Sequence, residues 1–64
     1  MIRILGLDVG EVRIGVALSD PLGYTAQPLE VINRKKDKAM ERICALVTAH
    51  EVQHVVVGFP LQLN

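Results

Sequence analysis

The sequence predicts an α/β fold in the order β-β-β-α-β, with a mixed sheet of antiparallel hairpin strands and a parallel fourth strand. Two observations lead to this prediction. The first half of the chain carries short apolar runs separated by glycine, proline and aspartate, a pattern typical of strands and turns. After residue 37 the apolar spacing becomes helical, and a Val-rich run at 52–57 then returns to a strand pattern.

The first two strands are predicted at residues 2–8 (IRILGLD) and 13–19 (RIGVALS), where Ile, Leu and Val are concentrated. The turn between them is residues 9–12 (VGEV), in which Gly10 supplies a permissive backbone. Because a link this short cannot cross over to a parallel neighbour, the two strands are expected to form an antiparallel hairpin.

A loop and a third strand are predicted next. Residues 20–28 (DPLGYTAQP) contain two prolines, a glycine and an aspartate, a composition typical of loops. Residues 29–33 (LEVIN) alternate apolar and polar side chains, as expected of a strand with one exposed face.

The helix is predicted from Asp37, whose side chain can cap the first turn, to about His50. Cys44 is interpreted as a small residue in or near the core. Residues 52–57 (VQHVVV) are expected to form a parallel central strand buried on both faces. One helix cannot cover both faces of such a strand, so the chain is expected to hold part of a domain. The apolar helix positions are Met40, Ile43, Leu46 and Val47, with Ala39 and Cys44 nearby.

Composition limits the classes of function. A chain of 64 residues is at most one small domain, and half of its residues are apolar, as in globular proteins. Seven basic residues balance seven acidic ones, so any attraction for nucleic acid must be local. A single cysteine excludes an intramolecular disulfide and suits a reducing, cytoplasmic compartment. The N-terminal apolar run is short and interrupted by Asp8, so we expect neither a signal peptide nor a membrane span.

Asp8 is the main candidate for chemistry, both as a catalytic carboxylate and as a metal ligand. It ends an otherwise apolar strand, just before a glycine turn. An ionised carboxylate that is buried there without a partner costs several kcal/mol, which a bound cation would offset. The alternative is a turn-capping aspartate that accepts the N–H of residue 10.

The glycines and the arginine that follow Asp8 are candidates for contact with a phosphate. Gly10 and Gly15 would let a phosphate or a backbone approach closely because neither has a Cβ atom. Arg13 could bind a phosphate with its planar guanidinium. The alternatives are a strand kink or bulge at Gly15 and a surface pairing of Arg13 with Glu11.

A local excess of positive charge at the helix start is a candidate nucleic-acid contact, with Lys35 and Lys36 at its centre. The alternative is a solvated helix entry. His50 and His54 are not interpreted as a metal pair, because a strand boundary falls between them. The basic residues are Arg34, Lys35, Lys36, Lys38 and Arg42, set against Asp37 and Glu41.

The strings ILGLDVGEVRIGVALSDPLGYTAQPLEVI and VVVGFPLQLN resemble the YqgF/RuvX family, described as Holliday-junction resolvases and as nucleases that mature the 5′ end of 16S rRNA. The resemblance implies an RNase H-like fold, of which residues 1–64 would be the N-terminal half. It implies that Asp8 is the first-strand carboxylate of a site for Mg²⁺ or Mn²⁺. Gly10, Arg13 and Gly15 match the family's hairpin. Precursor rRNA or branched DNA would be the partner.

The sequence departs from the family in two ways. The family's other acidic ligands lie in a D-E-R-x-T-type motif and a later aspartate, and the chain stops at Asn64 before either. Because Asp8 alone offers too few ligands, we expect these residues by themselves to be an inactive nuclease. Glu11 adds a negative charge where the family often has a small or hydroxylated residue.

Two other functions are compatible with parts of the pattern. Actin-like and sugar-kinase-like ATPases also begin with a strand, a D-x-G turn and a hairpin that binds nucleotide phosphates, but the SDPLGYTAQPL run resembles the nuclease family. A non-catalytic module is the second alternative, because an unpaired apolar strand edge tends to recruit another chain. Self-association is therefore expected.

Overall fold

The computed structural model describes residues 2–20, 25–36 and 38–59, which form four strands and one helix. The sheet order is β3-β2-β1-β4, so β1 lies between β2 and β4. β2 is antiparallel to both β1 and β3, whereas β4 is parallel to β1. This arrangement confirms the predicted mixed sheet with an antiparallel hairpin and a parallel fourth strand. The elements are β1 (Ile4–Val9), β2 (Arg13–Ser19), β3 (Ala26–Asn33), α1 (Ala39–Ala49) and β4 (His54–Gly58).

The core lies between α1 and one face of the sheet. Alternate residues of a strand point to the same face, so the leucines of β1 and the apolar side chains at every second position of β2 are buried together. Leu46 is the helix residue that is buried against them. Removal of this apolar surface from water is the main stabilising contribution. The buried set is Leu5, Leu7, Ile14, Val16, Leu18, Ile32 and Leu46.

The third strand begins earlier than predicted. The sequence predicted a loop over residues 20–28 because of its two prolines, glycine and aspartate, but Ala26–Asn33 is one strand with Pro28 opposite Ala17. Proline cannot donate a hydrogen bond to a neighbouring strand, and it is tolerated in β3 because β3 is an edge strand. The register shifts between Val16 and Ala17, which marks the irregularity that accompanies it.

The burial predicted for the fourth strand is wrong within the described part of the chain. β4 is parallel to β1, as expected, but it lies at the edge of the sheet and all five of its residues are exposed. Val56 is 59% exposed. Neither a further strand nor a helix covers β4 among the described residues, and its valines are therefore exposed despite a pattern typical of a central strand.

The helix agrees with its predicted position, with two differences. The N-cap residue is Lys38, which makes no side-chain capping bond, and the capping role predicted for Asp37 lies outside the described residues. Cys44 is exposed, not in or near the core as predicted, because the core-facing side of α1 is formed by other residues. No helix in the described ranges is long and apolar enough to span a membrane. The core-facing residues of α1 are Ala39, Ile43, Leu46 and Val47.

The last turn of α1 ends in a left-handed residue. The Glu51 amide donates to the Thr48 carbonyl at 3.4 Å and the Val52 amide donates to the Val47 carbonyl at 3.0 Å. These two bonds form the Schellman arrangement that closes many helices. Glu51 has a φ of 53°, a conformation that usually favours glycine. The chain leaves the helix at this residue, and β4 then pairs with β1.

Candidate functional site

Asp8 projects from the sheet face opposite α1, which we call the open face. Leu5 and Leu7 point toward the core, so the alternation of β1 places Asp8 on the other side, where it is exposed. Its two neighbours across the sheet are Gly15 on β2 and Gly58 on β4. The carboxylate therefore stands near the end of β1 with no side chain on either adjacent strand position.

The missing side chains leave room around the carboxylate. A Cβ atom added at Gly15 would lie 3.6 Å from the Asp8 Cβ atom, so any larger side chain there would extend beside the carboxylate. A depression of about 490 Å³ on the open face continues from Asp8 over Gly6, Ala17, Pro28 and Val56. Asp8 thus marks the polar end of a shallow apolar surface that can accept another molecule or segment.

The Asp8 carboxylate does not cap the turn that follows it. The alternative raised from the sequence requires Asp8 to accept the Gly10 N–H, but that N–H donates to the Arg13 carbonyl at 2.8 Å. Within the described residues, no hydrogen bond or ion pair reaches the Asp8 side chain. An acidic side chain that contributes nothing to the local fold remains available for a ligand.

The β1–β2 turn (residues 10–12) is held by contacts at both ends. A Cβ atom at Gly10 would lie 3.0 Å from the Arg13 carbonyl oxygen, so any larger residue there would crowd the closed turn. The Arg34 amide donates to the Val12 carbonyl at 2.9 Å, and the Arg34 Nη1 atom donates to the Gly10 carbonyl at 2.7 Å. Sequence reasoning assigned Arg34 to a basic cluster and missed this contact.

The predicted phosphate contacts lie at the same end of the sheet as Asp8. Because β1 and β3 both run antiparallel to β2, both finish where β2 begins. Arg13 opens β2 and is exposed, opposite Asn33. Adjacent strands are about 4.8 Å apart, so the end of β3 is roughly 10 Å from β1 across the sheet. Arg13 and the residues after β3 are therefore brought near Asp8 by the strand order.

The basic turn (residues 34–36) is ordered by one side chain. The Asn33 Oδ1 atom accepts the backbone N–H groups of Lys35 and Lys36, both at 3.0 Å. This is an asparagine-stabilised turn, a local device of short polar side chains. The Lys35 and Lys36 side chains are exposed. Two positive charges are thus presented from a fixed backbone at the end of the sheet that carries Asp8.

One member of the predicted basic cluster has a different role. Arg42 donates two hydrogen bonds to the Glu30 carboxylate, at 2.8 and 2.6 Å, and so connects α1 to β3. The pKa of Glu30 is held below its ordinary value, mainly because it accepts these bonds and also because of the nearby positive charge. Arg42 is therefore a structural residue. Its partner could have been suspected from Glu30, because this residue carries the charge of the LEVIN segment.

The donor atoms at Asp8 fit part of a divalent-cation site. Carboxylate oxygens are preferred ligands of Mg²⁺ and Mn²⁺, and Mg²⁺ is commonly held by one or two carboxylates together with water and phosphate. Asp8 supplies one carboxylate. Among the described residues, no group of three or more His, Cys, Asp or Glu side chains could hold a metal ion. His50 and His54 are not brought into such a group.

Comparison with known proteins identifies close relatives. A family model named RuvX and described as Holliday junction resolvase matches residues 2–64. A protein of Desulforamulus reducens is 52% identical over 63 residues, which cover 97% of this chain and 46% of that protein. A protein of Fusobacterium nucleatum is 50% identical over 64 residues, covering 100% of this chain and 46% of that protein. Both relatives bear the name "putative pre-16S rRNA nuclease". The chain spans about half the length of these curated relatives.

Proposed function

The chain belongs to the RuvX family, and we propose that in the whole protein it contributes Asp8 to a metal-dependent endonuclease that hydrolyses phosphodiester bonds in structured nucleic acid. The observation that supports this most directly is the position of Asp8. The carboxylate is exposed beside two glycines at the end of a central strand, without a hydrogen bond or ion pair in the described part of the chain. Two Lys side chains and Arg13 are carried to the same end of the sheet.

The proposed mechanism divides the work between Asp8 and the cationic residues. Asp8 would be one ligand of Mg²⁺ or Mn²⁺, which when bound lowers the pKa of a coordinated water and neutralises charge on the phosphate. Arg13, Lys35 and Lys36 would bind the phosphates that flank the scissile bond, which fixes the strand relative to Asp8. The backbone at Gly15 would permit close approach of the substrate to the carboxylate.

The substrate is proposed as precursor 16S rRNA at its 5′ end, with a Holliday junction as the competing substrate. The names of the relatives favour the first, and the description of the family names the second. Arg and Lys contacts read the shape and charge of a nucleic-acid backbone, not its base sequence. Either substrate therefore fits these cations. We place the protein in the cytoplasm, where its role would be ribosome biogenesis if precursor rRNA is cleaved and Holliday-junction resolution if branched DNA is cleaved.

The 64 residues are proposed to form the N-terminal part of one RNase H-like domain and to be inactive alone. A single carboxylate is a poor site for Mg²⁺, so further acidic ligands are needed from the rest of the protein. The exposed edge of β4, with Val56 on the open face and Val55 and Val57 on the other, is proposed to pair with a further segment or with a second copy. Sedimentation of the 64-residue chain as a folded monomer would contradict self-association.

Cleavage by the whole protein tests the proposal. Four-way-junction DNA and a structured precursor of 16S rRNA would be incubated with Mg²⁺ or Mn²⁺, using wild type and Asp8→Asn. A matched control is Asp20→Asn, because Asp20 lies at the other end of β2 and bonds the Thr25 hydroxyl at 3.2 Å, a contact that asparagine can keep. We expect Asp8→Asn to abolish cleavage and Asp20→Asn to retain it.

Three outcomes would overturn parts of this proposal. Cleavage that does not depend on Asp8 would remove the catalytic assignment. Cleavage without a divalent cation would remove the metal. Failure to cleave either nucleic acid, together with ATP binding that depends on Asp8, would favour the nucleotide-binding function of actin-like proteins.

A further inference from the structure

Arg34 holds two carbonyl groups of the β1–β2 turn at once. Its amide donates to the Val12 carbonyl at 2.9 Å and its Nη1 atom donates to the Gly10 carbonyl at 2.7 Å. The second contact joins residues that are 24 apart in the sequence. A charged donor at this distance makes a stronger hydrogen bond than a neutral one, so the guanidinium is a specific restraint on the turn.

The restrained turn is directly connected to Asp8. Gly10 is two residues after Asp8, and Val9 between them is paired with Ile14 on β2. The Gly10 amide closes the turn from inside by donating to the Arg13 carbonyl at 2.8 Å. With its amide and its carbonyl both bonded, Gly10 has little freedom to move. The backbone that carries the carboxylate is thereby fixed on its C-terminal side.

We propose that Arg34 is a positioning residue for Asp8, and this inference rests on the proposed nuclease function. Its guanidinium ties the turn after Asp8 to the end of β3, so that the carboxylate and the basic turn are kept at a constant separation. Lys35 and Lys36 follow directly, and their backbone is fixed by Asn33. One segment after β3 thus contains both Arg34, which is bonded to the turn, and the two lysines that are proposed to bind phosphate.

The geometry distinguishes this role from a phosphate contact. A phosphate-binding Arg34 would either use only the N–H donors that the Gly10 carbonyl leaves over, or release that carbonyl and loosen the turn. A positioning residue keeps the contact throughout the reaction. The two roles therefore affect different kinetic constants, because lost positioning lowers kcat whereas a lost phosphate contact raises KM and weakens the salt dependence of binding.

Kinetic comparison of three variants of the whole protein tests the role. Arg34→Met removes the donors and keeps most of the side-chain length. Arg34→Lys retains one charged donor. Lys36→Met is the matched control, because it removes the same charge two residues away without a contact to the turn. We expect Arg34→Met to lower kcat on the order of tenfold or more with KM within about twofold, since small misplacements are costly to rate. Arg34→Lys should recover part of the kcat.

The control should show the opposite pattern. Lys36→Met is expected to raise KM and to reduce the salt slope by about one unit, with kcat little changed. If Arg34→Met raises KM and reduces the salt slope in the same way as Lys36→Met, Arg34 is a phosphate contact and the positioning role is wrong. Equal kcat values for Arg34→Met and wild type would also overturn it.

Hydrogen exchange measures the restraint without reference to activity. In the whole protein, the Gly10 amide should exchange about tenfold faster in Arg34→Met than in wild type, and it should be unchanged in Lys36→Met. The Val52 amide, which donates to the Val47 carbonyl at the end of α1, is an internal reference for opening outside the turn. If Gly10 exchanges faster in Arg34→Met than in wild type but the wild-type protein cleaves no nucleic acid, the restraint is upheld and the nuclease is rejected. Unchanged exchange at Gly10 would reject the restraint whatever the activity.

Discussion

Gly6 in β1 and Gly10 in the turn after it should respond differently to the same added methyl group. A Cβ atom at Gly10 would lie 3.0 Å from the Arg13 carbonyl oxygen, which is tighter than ordinary packing allows. A Cβ atom at Gly6 would have the Ala17 carbonyl oxygen as its nearest neighbour at 3.9 Å, which is an ordinary contact. We predict that Gly10→Ala destabilises the protein and that Gly6→Ala does not.

The size of the effect follows from these contacts. Gly10→Ala can be accommodated only if the turn moves by a few tenths of an ångström, and the 2.8 Å bond from the Gly10 amide to the Arg13 carbonyl moves with it. Overpacking costs about 1–3 kcal/mol, and a surface turn yields more easily than a core, so we expect about 1–1.5 kcal/mol. Gly6→Ala should be neutral or stabilise by up to about 0.5 kcal/mol, because alanine loses less backbone freedom on folding.

Urea unfolding of the whole protein, followed by far-ultraviolet circular dichroism, measures both variants. With a slope of about 1–2 kcal/mol per molar urea, the midpoint of Gly10→Ala should fall by about 0.5–1.5 M. The midpoint of Gly6→Ala should stay the same or rise. Equal midpoints for the two variants would refute the reasoning, because the turn would then accept a Cβ atom at no cost.

Three other substitutions test the site and the ends of the helix. Gly15→Ala should leave the urea midpoint nearly unchanged but slow cleavage, because its methyl group would lie 3.6 Å from the Asp8 Cβ atom and beside the carboxylate. Arg42→Met should cost about 0.5 kcal/mol near neutral pH, as exposed ion pairs do. That difference should shrink as the pH falls below 4.5 and vanish once the pH is below the lowered pKa of Glu30, because the pair stabilises the fold only while the carboxylate is ionised. Glu51→Gly should stabilise by about 0.5–1 kcal/mol and raise Tm, since a φ of 53° is strained for glutamate.

The controls for these substitutions use the same chain. Ala45→Gly, inside α1, should cost about 1 kcal/mol, so a gain in Tm for both glycine variants would show that the left-handed end of the helix is not the cause. Glu30→Gln should lose the same stability as Arg42→Met near neutral pH. In a protein that carries Glu30→Gln, the effect of Arg42→Met on stability should no longer depend on pH. A difference between Arg42→Met and wild type that grew on acidification would contradict the lowered pKa of Glu30.

The parts of the fold that were predictable are those that depend on short segments. The second strand was predicted at 13–19 and is Arg13–Ser19, because its apolar period and the glycine turn before it are local signals. The start of β3 was missed because Pro28 is a loop signal unless the strand lies at an edge. The exposure of β4 was missed because a Val-rich run does not reveal whether its strand lies at an edge of the sheet. Both depend on the order of strands in the sheet, which residue patterns do not determine.

The role of a site residue was predictable where its own place in the sequence indicates it. It was not predictable where the role depends on a contact between two residues distant in the sequence. Asp8 was identifiable as a polar residue at the end of an apolar strand. Arg34 and Arg42 were grouped with the lysines, because counting charges along the chain does not reveal which cations are already bonded. Their acceptors, the Gly10 carbonyl and the Glu30 carboxylate, are 24 and 12 residues away. Only the fold shows which of these exposed basic side chains are bonded within the protein.

The two faces of the sheet have separate tasks, and this separation explains how so small a unit can keep a carboxylate that has no partner among the described residues. The buried leucines of β1 are stabilised against α1, whereas Asp8 alternates to the open face, where hydration avoids the cost of burying a charge. Gly15 and Gly58 contribute no packing on that face, so substitutions around Asp8 should alter activity more than stability. Substitutions of Leu5 or Ile32, the two most buried side chains, should do the reverse.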